Sequence, residues 1–135
     1  MIPLGALYAA AEAQGLEIYR FPMRRSAAVS TPDGCIGIDT DKLETSAAEK
    51  VCLAHEMGHC LTGSFYRVDT PLALRGRAEE RADRWAIRRL VPLRELRAAL
   101  RGGCTRPDEL AERFGVSEEF LFKAVRYYRE ARNLL

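Results

Sequence analysis

One segment of the chain is bounded as a helix at both ends and carries the only two histidines of the protein. Ser46 with Glu49 three residues later forms a capping-box pattern, and Gly63 is a typical residue just beyond a helix C-terminus. Residues 55–59 of this segment read HEMGH. Because helical residues four apart project from the same side, both imidazoles are predicted to face one point. The rest of the fold must be arranged around this helix.

The other segments predict an α+β fold. Short strand-like runs flank a Thr-Pro-Asp-Gly turn at residues 31–34, which indicates a hairpin. The predicted helices cover residues 4–14, 46–62, 78–91, 93–101, 107–114 and 118 to the C-terminus, and the strands cover 16–21, 27–30 and 35–39. We therefore expect a small antiparallel sheet packed on the histidine helix and a second helix that follows it. The length of 135 residues fits a main domain over 1–103 and a helical extension over 104–135.

Two histidines four apart, with a glutamate beside the first, are the pattern of a zinc-dependent peptidase. His55 and His59 can bind one metal ion, and Glu56 can accept a proton from the attacking water and pass it to the leaving amine. A catalytic zinc needs three protein ligands and one open position. Since the chain has no third histidine, the third ligand must be a carboxylate or a thiol.

The candidates for this ligand lie on the next helix. Glu79 and Asp83 share a helical stripe with the apolar residues Ala86 and Leu90. Two carboxylates on such a stripe are costly unless they are paired or bound to a metal. If Glu79 is the ligand and Asp83 accepts a histidine N–H, both costs disappear. Glu80 is the alternative ligand, because a shift of one residue in the helix would exchange the two glutamates.

These motifs, taken in order, resemble those of the ImmA/IrrE family of metallopeptidases, which are thermolysin-like gluzincins. The resemblance consists of HEMGH at 55–59, a loop, E-x-x-x-D at 79–83, a Trp-Ala pair at 85–86 and Leu-Val-Pro at 90–92. It covers about residues 4–100 of the chain. It implies a minimal zincin that holds Zn²⁺ and hydrolyses peptide bonds.

The resemblance also implies the role of each matching residue. His55, His59 and Glu79 would be the metal ligands, Glu56 the catalytic base, and Asp83 a hydrogen-bond acceptor behind one of the ligands. Thermolysin-like enzymes carry a separate histidine that stabilises the oxyanion, and this chain has none to spare. Tyr66, just beyond the histidine helix, is the candidate for that role. Packing beneath the loop is its alternative role.

Members of the family are typically bacterial or carried by phages and mobile elements, and several cleave transcriptional repressors. The resemblance therefore implies a protein substrate, a helix-turn-helix repressor of a phage or mobile element. The chain shows no secretory signal pattern and no apolar run long enough for a bilayer, and its four cysteines lack CxxC spacing. We expect a cytoplasmic protein with no membrane partner.

Two other classes of function stay open. Residues 108–117 with the following helix resemble a helix-turn-helix, which would make the protein a DNA-binding regulator. Against this, the second helix opens with Glu118, Glu119 and Phe120, and the net charge is only +2, so no specific nucleic acid is expected. The preferred interpretation packs Leu110, Phe114, Val116, Leu121 and Val125 onto the main domain. The remaining alternative is a metal-binding interaction protein without proteolytic activity.

Overall fold

Six α-helices and three short strands succeed one another in the computed structural model, which describes residues 1–131 and 133–135. The helices are α1 (Leu4–Ala13), α2 (Ser46–Thr62), α3 (Leu72–Leu90), α4 (Leu93–Arg101), α5 (Pro107–Phe114) and α6 (Glu118–Arg126). The strands are β1 (Glu17–Arg20), β2 (Ala28–Ser30) and β3 (Cys35–Ile38). The predicted α+β class is confirmed. Within the described ranges, no helix combines the length and the apolar character that a membrane span requires.

The sheet is mixed, whereas the sequence predicted an antiparallel one. The predicted hairpin is present, since β2 and β3 pair antiparallel with Ala28 opposite Ile38. β1, however, pairs parallel with β3, with Ile18 opposite Ile36, so the strand order is β1-β3-β2. The segment after β1 reverses the chain, and the hairpin then returns β3 between the two earlier strands. The middle strand therefore runs in the direction of β1, and β2 lies at an edge of the sheet.

Helix α2 begins as predicted, but with a different capping residue. Thr45 is the extended residue before the helix, and its hydroxyl accepts the N–H of Ala48 at 3.0 Å. Ser46 is instead the first helical residue. Glu49, expected to complete a capping box with Ser46, accepts the hydroxyl of Tyr8 from α1 at 2.5 Å. Both residues carry a hydroxyl that can cap a helix, and the structure uses the one that comes first in the chain. The helix ends at Gly63, in the left-handed conformation, as predicted.

Helix α3 begins earlier than the sequence indicated. Residues 64–77 were predicted as a loop, but the helix extends back to Leu72, directly after Pro71. Leu72 is 81% exposed, so the first turns have no buried face that would produce an amphipathic pattern. The loop between α2 and α3 is therefore shorter than predicted and covers residues 63–71.

The C-terminal helices share one apolar core with α1, α2 and α3. Leu110, Phe114, Val116 and Leu121 are buried, as the packing interpretation predicted, and Val125 is partly buried. Glu118 and Glu119 are exposed at the start of α6. The last helix was predicted to reach the C-terminus; α6 instead passes into a π-helical turn over Tyr127–Ala131, and residue 132 lies outside the described residues.

Candidate metal centre

A glycine inside the HEMGH segment sets the distance between α2 and α3. A Cβ added at Gly58 would lie 2.6 Å from the carbonyl oxygen of Ala82, closer than such atoms can approach. Ala82 is itself fully buried. The two backbones are therefore in contact at this point. Glu79 and Asp83 lie on either side of Ala82 along α3, so this contact brings both carboxylates close to the histidines of α2. The sequence interpretation assigned no role to Gly58.

Three potential ligand side chains meet in this contact between the helices. His55 Nε2 lies 2.8 Å from Glu79 Oε2, and His59 Nε2 lies 3.2 Å from His55 Nε2 and 3.3 Å from Glu79 Oε1. One ligand atom from each residue falls within 4.8 Å of the others. Glu80 is exposed and lies outside this cluster. The structure thus brings together the three residues that the sequence named as ligands.

The far side of each imidazole is held by an oxygen that can only accept. His55 Nδ1 lies 2.8 Å from Asp83 Oδ1, and His59 Nδ1 contacts the backbone carbonyl of Ser64. In a neutral imidazole one nitrogen carries the proton and the other a lone pair. Because Asp83 and Ser64 accept, both Nδ1 atoms must donate. Both Nε2 lone pairs then point at the Glu79 carboxylate.

This arrangement gathers three acceptors that cannot satisfy one another. Two imidazole lone pairs and a carboxylate repel unless a proton or a metal ion lies between them. Nitrogen and carboxylate donors, each supported by an outer hydrogen bond, form the ligand set that zinc prefers in catalytic sites. The residues present therefore fit a zinc ion. Ser64 was not singled out from the sequence, because a backbone carbonyl in a loop leaves no pattern in the residue types.

The protonation of the cluster reflects its excess of negative charge. Burial by itself would lower the pKa of His55, but the hydrogen bond and charge of Asp83 outweigh it and raise that pKa. Burial would raise the pKa of Asp83, but its hydrogen bond to His55 and the ammonium of Lys123, 3.3 Å away, hold it below its ordinary value. Without a metal, a proton is therefore drawn to His55.

Glu56 lies next to the cluster and has a partner from the sheet. Its Oε1 accepts the hydroxyl of Ser30 at 2.7 Å, and Ser30 is the last residue of β2. The sequence interpretation missed Ser30, because nothing in a three-residue strand indicates which helix it will contact. The hydrogen bond turns the carboxylate of Glu56 toward the sheet side of the cluster.

A cleft of about 380 Å³ opens in front of these residues. The edge strand β2 forms one wall, and the loop after α2, with Phe65 and Tyr66, forms the other. The Tyr66 hydroxyl donates to Glu79 Oε1 at 2.9 Å, and this hydrogen bond raises the pKa of Tyr66. Tyr66 is 43% exposed, so its ring lies at the rim of the cleft and not beneath the loop.

Comparison with known proteins agrees with this geometry. The model of the IrrE N-terminal-like domain, a family of zinc metallopeptidases, matches residues 11–126. The chain belongs to this family. Membership supports a metallopeptidase that acts on protein substrates. No curated protein and no solved structure matches the chain significantly.

Proposed function

We propose that the protein is a zinc-dependent endopeptidase of the gluzincin type, with His55, His59 and Glu79 as ligands. The observation that carries the proposal is that three groups with free lone pairs converge at one point. The N–H groups of the two histidines are directed away from that point, toward Asp83 and Ser64. A structural zinc site would be closed by a fourth protein ligand. Here His55, His59 and Glu79 line an open cleft, which would leave a bound ion accessible to water and substrate, as a catalytic site requires.

Each residue around the cleft has a definite task in this proposal. When bound, zinc supplies a Lewis acid that polarises the scissile carbonyl and acidifies water. Glu56 accepts the proton of the attacking water on its carboxylate and delivers it to the leaving amine nitrogen. Ser30 orients that carboxylate through its hydroxyl. Asp83 holds the His55 ring. The Tyr66 hydroxyl, which donates to Glu79 in the structure, would turn to donate to the oxyanion that develops on the substrate carbonyl.

The substrate that suits this cleft is an extended segment of another protein. β2 is an edge strand, and one of its sides faces the cleft instead of a neighbouring strand. An extended peptide can add to such an edge through main-chain hydrogen bonds and place its carbonyl near Glu56. From the family resemblance we propose a helix-turn-helix repressor of a phage or mobile element as the substrate, cleaved in the cytoplasm.

The decisive experiment separates metal binding from chemistry. Glu56→Gln keeps the ligands and the size of the side chain, but the amide cannot accept the proton. Zinc content should stay near one ion per chain, and cleavage of a quenched-fluorescence peptide library should fall by about 10²–10⁴. Glu80→Gln, the same change on an exposed residue of α3, should leave cleavage unchanged. A fully active Glu56→Gln protein would instead favour the interaction protein without proteolytic activity.

The third ligand is tested by a matched pair on α3. Glu79→Ala should lose most of the bound zinc, because it removes one of three donors, whereas Glu80→Ala should retain it. Asp83→Asn should keep the ion but bind it roughly 10–100-fold more weakly, as losses of outer hydrogen bonds typically do. Zinc binding is measured by competition with a chromophoric chelator. Loss of zinc from the Glu80→Ala protein alone would show that the ligand assignment is off by one residue.

A further inference from the structure

One face of α3 carries four arginines around the only tryptophan of the chain. Positions i, i+3, i+4, i+7 and i+8 of a helix lie on one side. On α3 these positions are Arg81, Arg84, Trp85, Arg88 and Arg89. Together with Thr62 at the end of α2 they line a groove of about 530 Å³, named here the arginine groove.

The arginine groove is separate from the metal centre. Glu79 and Asp83 point from α3 toward the histidines of α2. At about 100° per residue, Arg84 and Arg88 lie on the other side of the same helix. The groove and the catalytic cleft have no lining residue in common. The positive charge of the groove therefore does not serve the metal ligands.

The charge of the arginine groove is not neutralised by the protein. Arg81 donates to the carbonyl of Thr62 at 3.2 Å, and Arg88 donates to the Tyr127 hydroxyl at 2.9 Å. Across residues 1–131 and 133–135, no carboxylate lies within ion-pair distance of the four guanidinium groups. Like charges on successive turns destabilise a helix by about 0.2–0.5 kcal/mol per pair. Arg81 and Arg88 each make a contact within the fold, but no such contact accounts for Arg84 and Arg89 among the described residues.

The distribution of charge over the chain limits what can neutralise the groove. Residues 72–101 contain nine arginines and four acidic residues, whereas the whole chain carries only +2, so the remainder is net negative. The remainder of the chain therefore supplies no further excess of positive charge for a long polyanion such as a nucleic acid. The helix rises about 12 Å from Arg81 to Arg89, which is the length of about four extended residues. A short acidic segment fits both limits.

We propose that the arginine groove docks a short acidic segment of the protein substrate, about four residues rich in aspartate or glutamate. Guanidinium groups bind carboxylates in bidentate pairs, and the half-buried Trp85 offers an apolar floor for the segment. The proposal rests on the proposed peptidase function. It adds that the enzyme selects its substrate on the back of α3, away from the bond that is cut.

The single tryptophan makes this proposal directly measurable. Trp85 emission of the zinc-loaded full chain is followed while an acetylated, amidated hexa-aspartate peptide is added. We expect a saturable change whose Kd rises steeply with salt, because the contacts are between exposed charges. Arg84→Glu/Arg89→Glu should raise the Kd by roughly tenfold or more, since two attractive contacts become repulsive. Neither arginine has a described partner whose loss would disturb folding, which circular dichroism checks.

Two control variants test whether the position and the geometry of the arginines matter. Arg101→Glu/Arg113→Glu makes the same change in net charge at exposed positions outside the groove and should leave the Kd within about twofold. Arg84→Lys/Arg89→Lys keeps the charge but loses the planar donor pair, so binding should weaken roughly threefold. The absence of a saturable change, or an equal loss in both double glutamate variants, would overturn the proposal. Tighter binding of a thymidine hexanucleotide than of the peptide would overturn it in favour of nucleic acid.

Peptide binding does not require catalysis, so the two proposals fail separately. Retained groove binding in a protein that cleaves nothing would refute only the peptidase. Cleavage of short peptides by a chain that does not bind hexa-aspartate would refute only the docking site.

Discussion

Lys50 and His59 both belong to α2 and are almost equally buried, with 2% and 6% of their surfaces exposed. Their surroundings differ. Lys50 Nζ donates to the carbonyls of Ile2 and Phe114, each at 2.8 Å, and so joins the N-terminus and the end of α5 to α2. His59 Nε2 lies 3.2 Å from His55 Nε2 and 3.3 Å from Glu79 Oε1, and both neighbours are acceptors when His55 is neutral. The hydrogen-bond donors of Lys50 have acceptors within the protein, whereas the lone pair of His59 Nε2 faces other acceptors.

The difference separates a structural polar group from a binding site. Burial lowers the pKa of Lys50, and two acceptors compensate part of the cost of its buried charge. The place is also closed to anything else, because a Cβ at Gly115 would already lie 2.6 Å from Lys50 Nζ. At His59, by contrast, the acceptors converge and line an open cleft. The protein itself satisfies the ammonium group of Lys50, whereas the cluster around His59 could hold a cation.

Removal of the metal should therefore have the largest effect on stability. With free zinc at about 1,000 times its Kd, binding adds about 4.1 kcal/mol to the free energy of unfolding. A chelator should abolish that contribution in the wild type and make no difference to His59→Ala. Urea denaturation with and without the chelator measures both. Identical wild-type unfolding curves with and without the chelator would mean that no metal stabilises the cluster around His59.

Lys50→Met should have the next largest effect, and only on folding. It keeps the length of the side chain but leaves the carbonyls of Ile2 and Phe114 unpaired, at about 1–3 kcal/mol for each buried group. We expect a loss of about 2–4 kcal/mol in the free energy of unfolding, with one zinc still bound per chain. Arg113→Met, on the exposed side of α5, should stay within about 0.5 kcal/mol of the wild type. Loss of zinc from the Lys50→Met protein would contradict the separation of the two clusters.

Ser30→Ala should have the smallest effect, and only on catalysis. It removes the hydrogen bond that orients Glu56, worth about 0.5–1.5 kcal/mol, so kcat should fall roughly 2–10-fold with KM and zinc content unchanged. Ser30→Thr keeps the hydroxyl and should restore kcat. Steady-state kinetics on one peptide substrate compares the three proteins. A change confined to KM would make Ser30 a wall of the cleft instead of a positioning residue.

The helices near the site were predictable where their ends carry local signals. Gly63 ended α2 in the left-handed conformation, and Ser117 caps α6 by accepting the N–H of Phe120 at 3.1 Å, both as the sequence indicated. The prediction failed where the sequence carries no local signal. The first turns of α3 are exposed and show no pattern, and the parallel pairing of β1 depends on where the hairpin returns.

The sequence by itself determined which side chains could serve as ligands. The spacing of His55 and His59 is a property of any helix, and the stripe of Glu79 and Asp83 is a property of α3 alone. Only the tertiary structure decided that these two stripes meet, because that depends on the contact of Gly58 with Ala82 and on the carbonyl of Ser64 behind His59. The hydrogen bond from the Ser30 hydroxyl to Glu56 likewise depends on how β2 packs against α2. Periodicity acts within one helix, whereas a site is made by distances between elements, which no local pattern encodes.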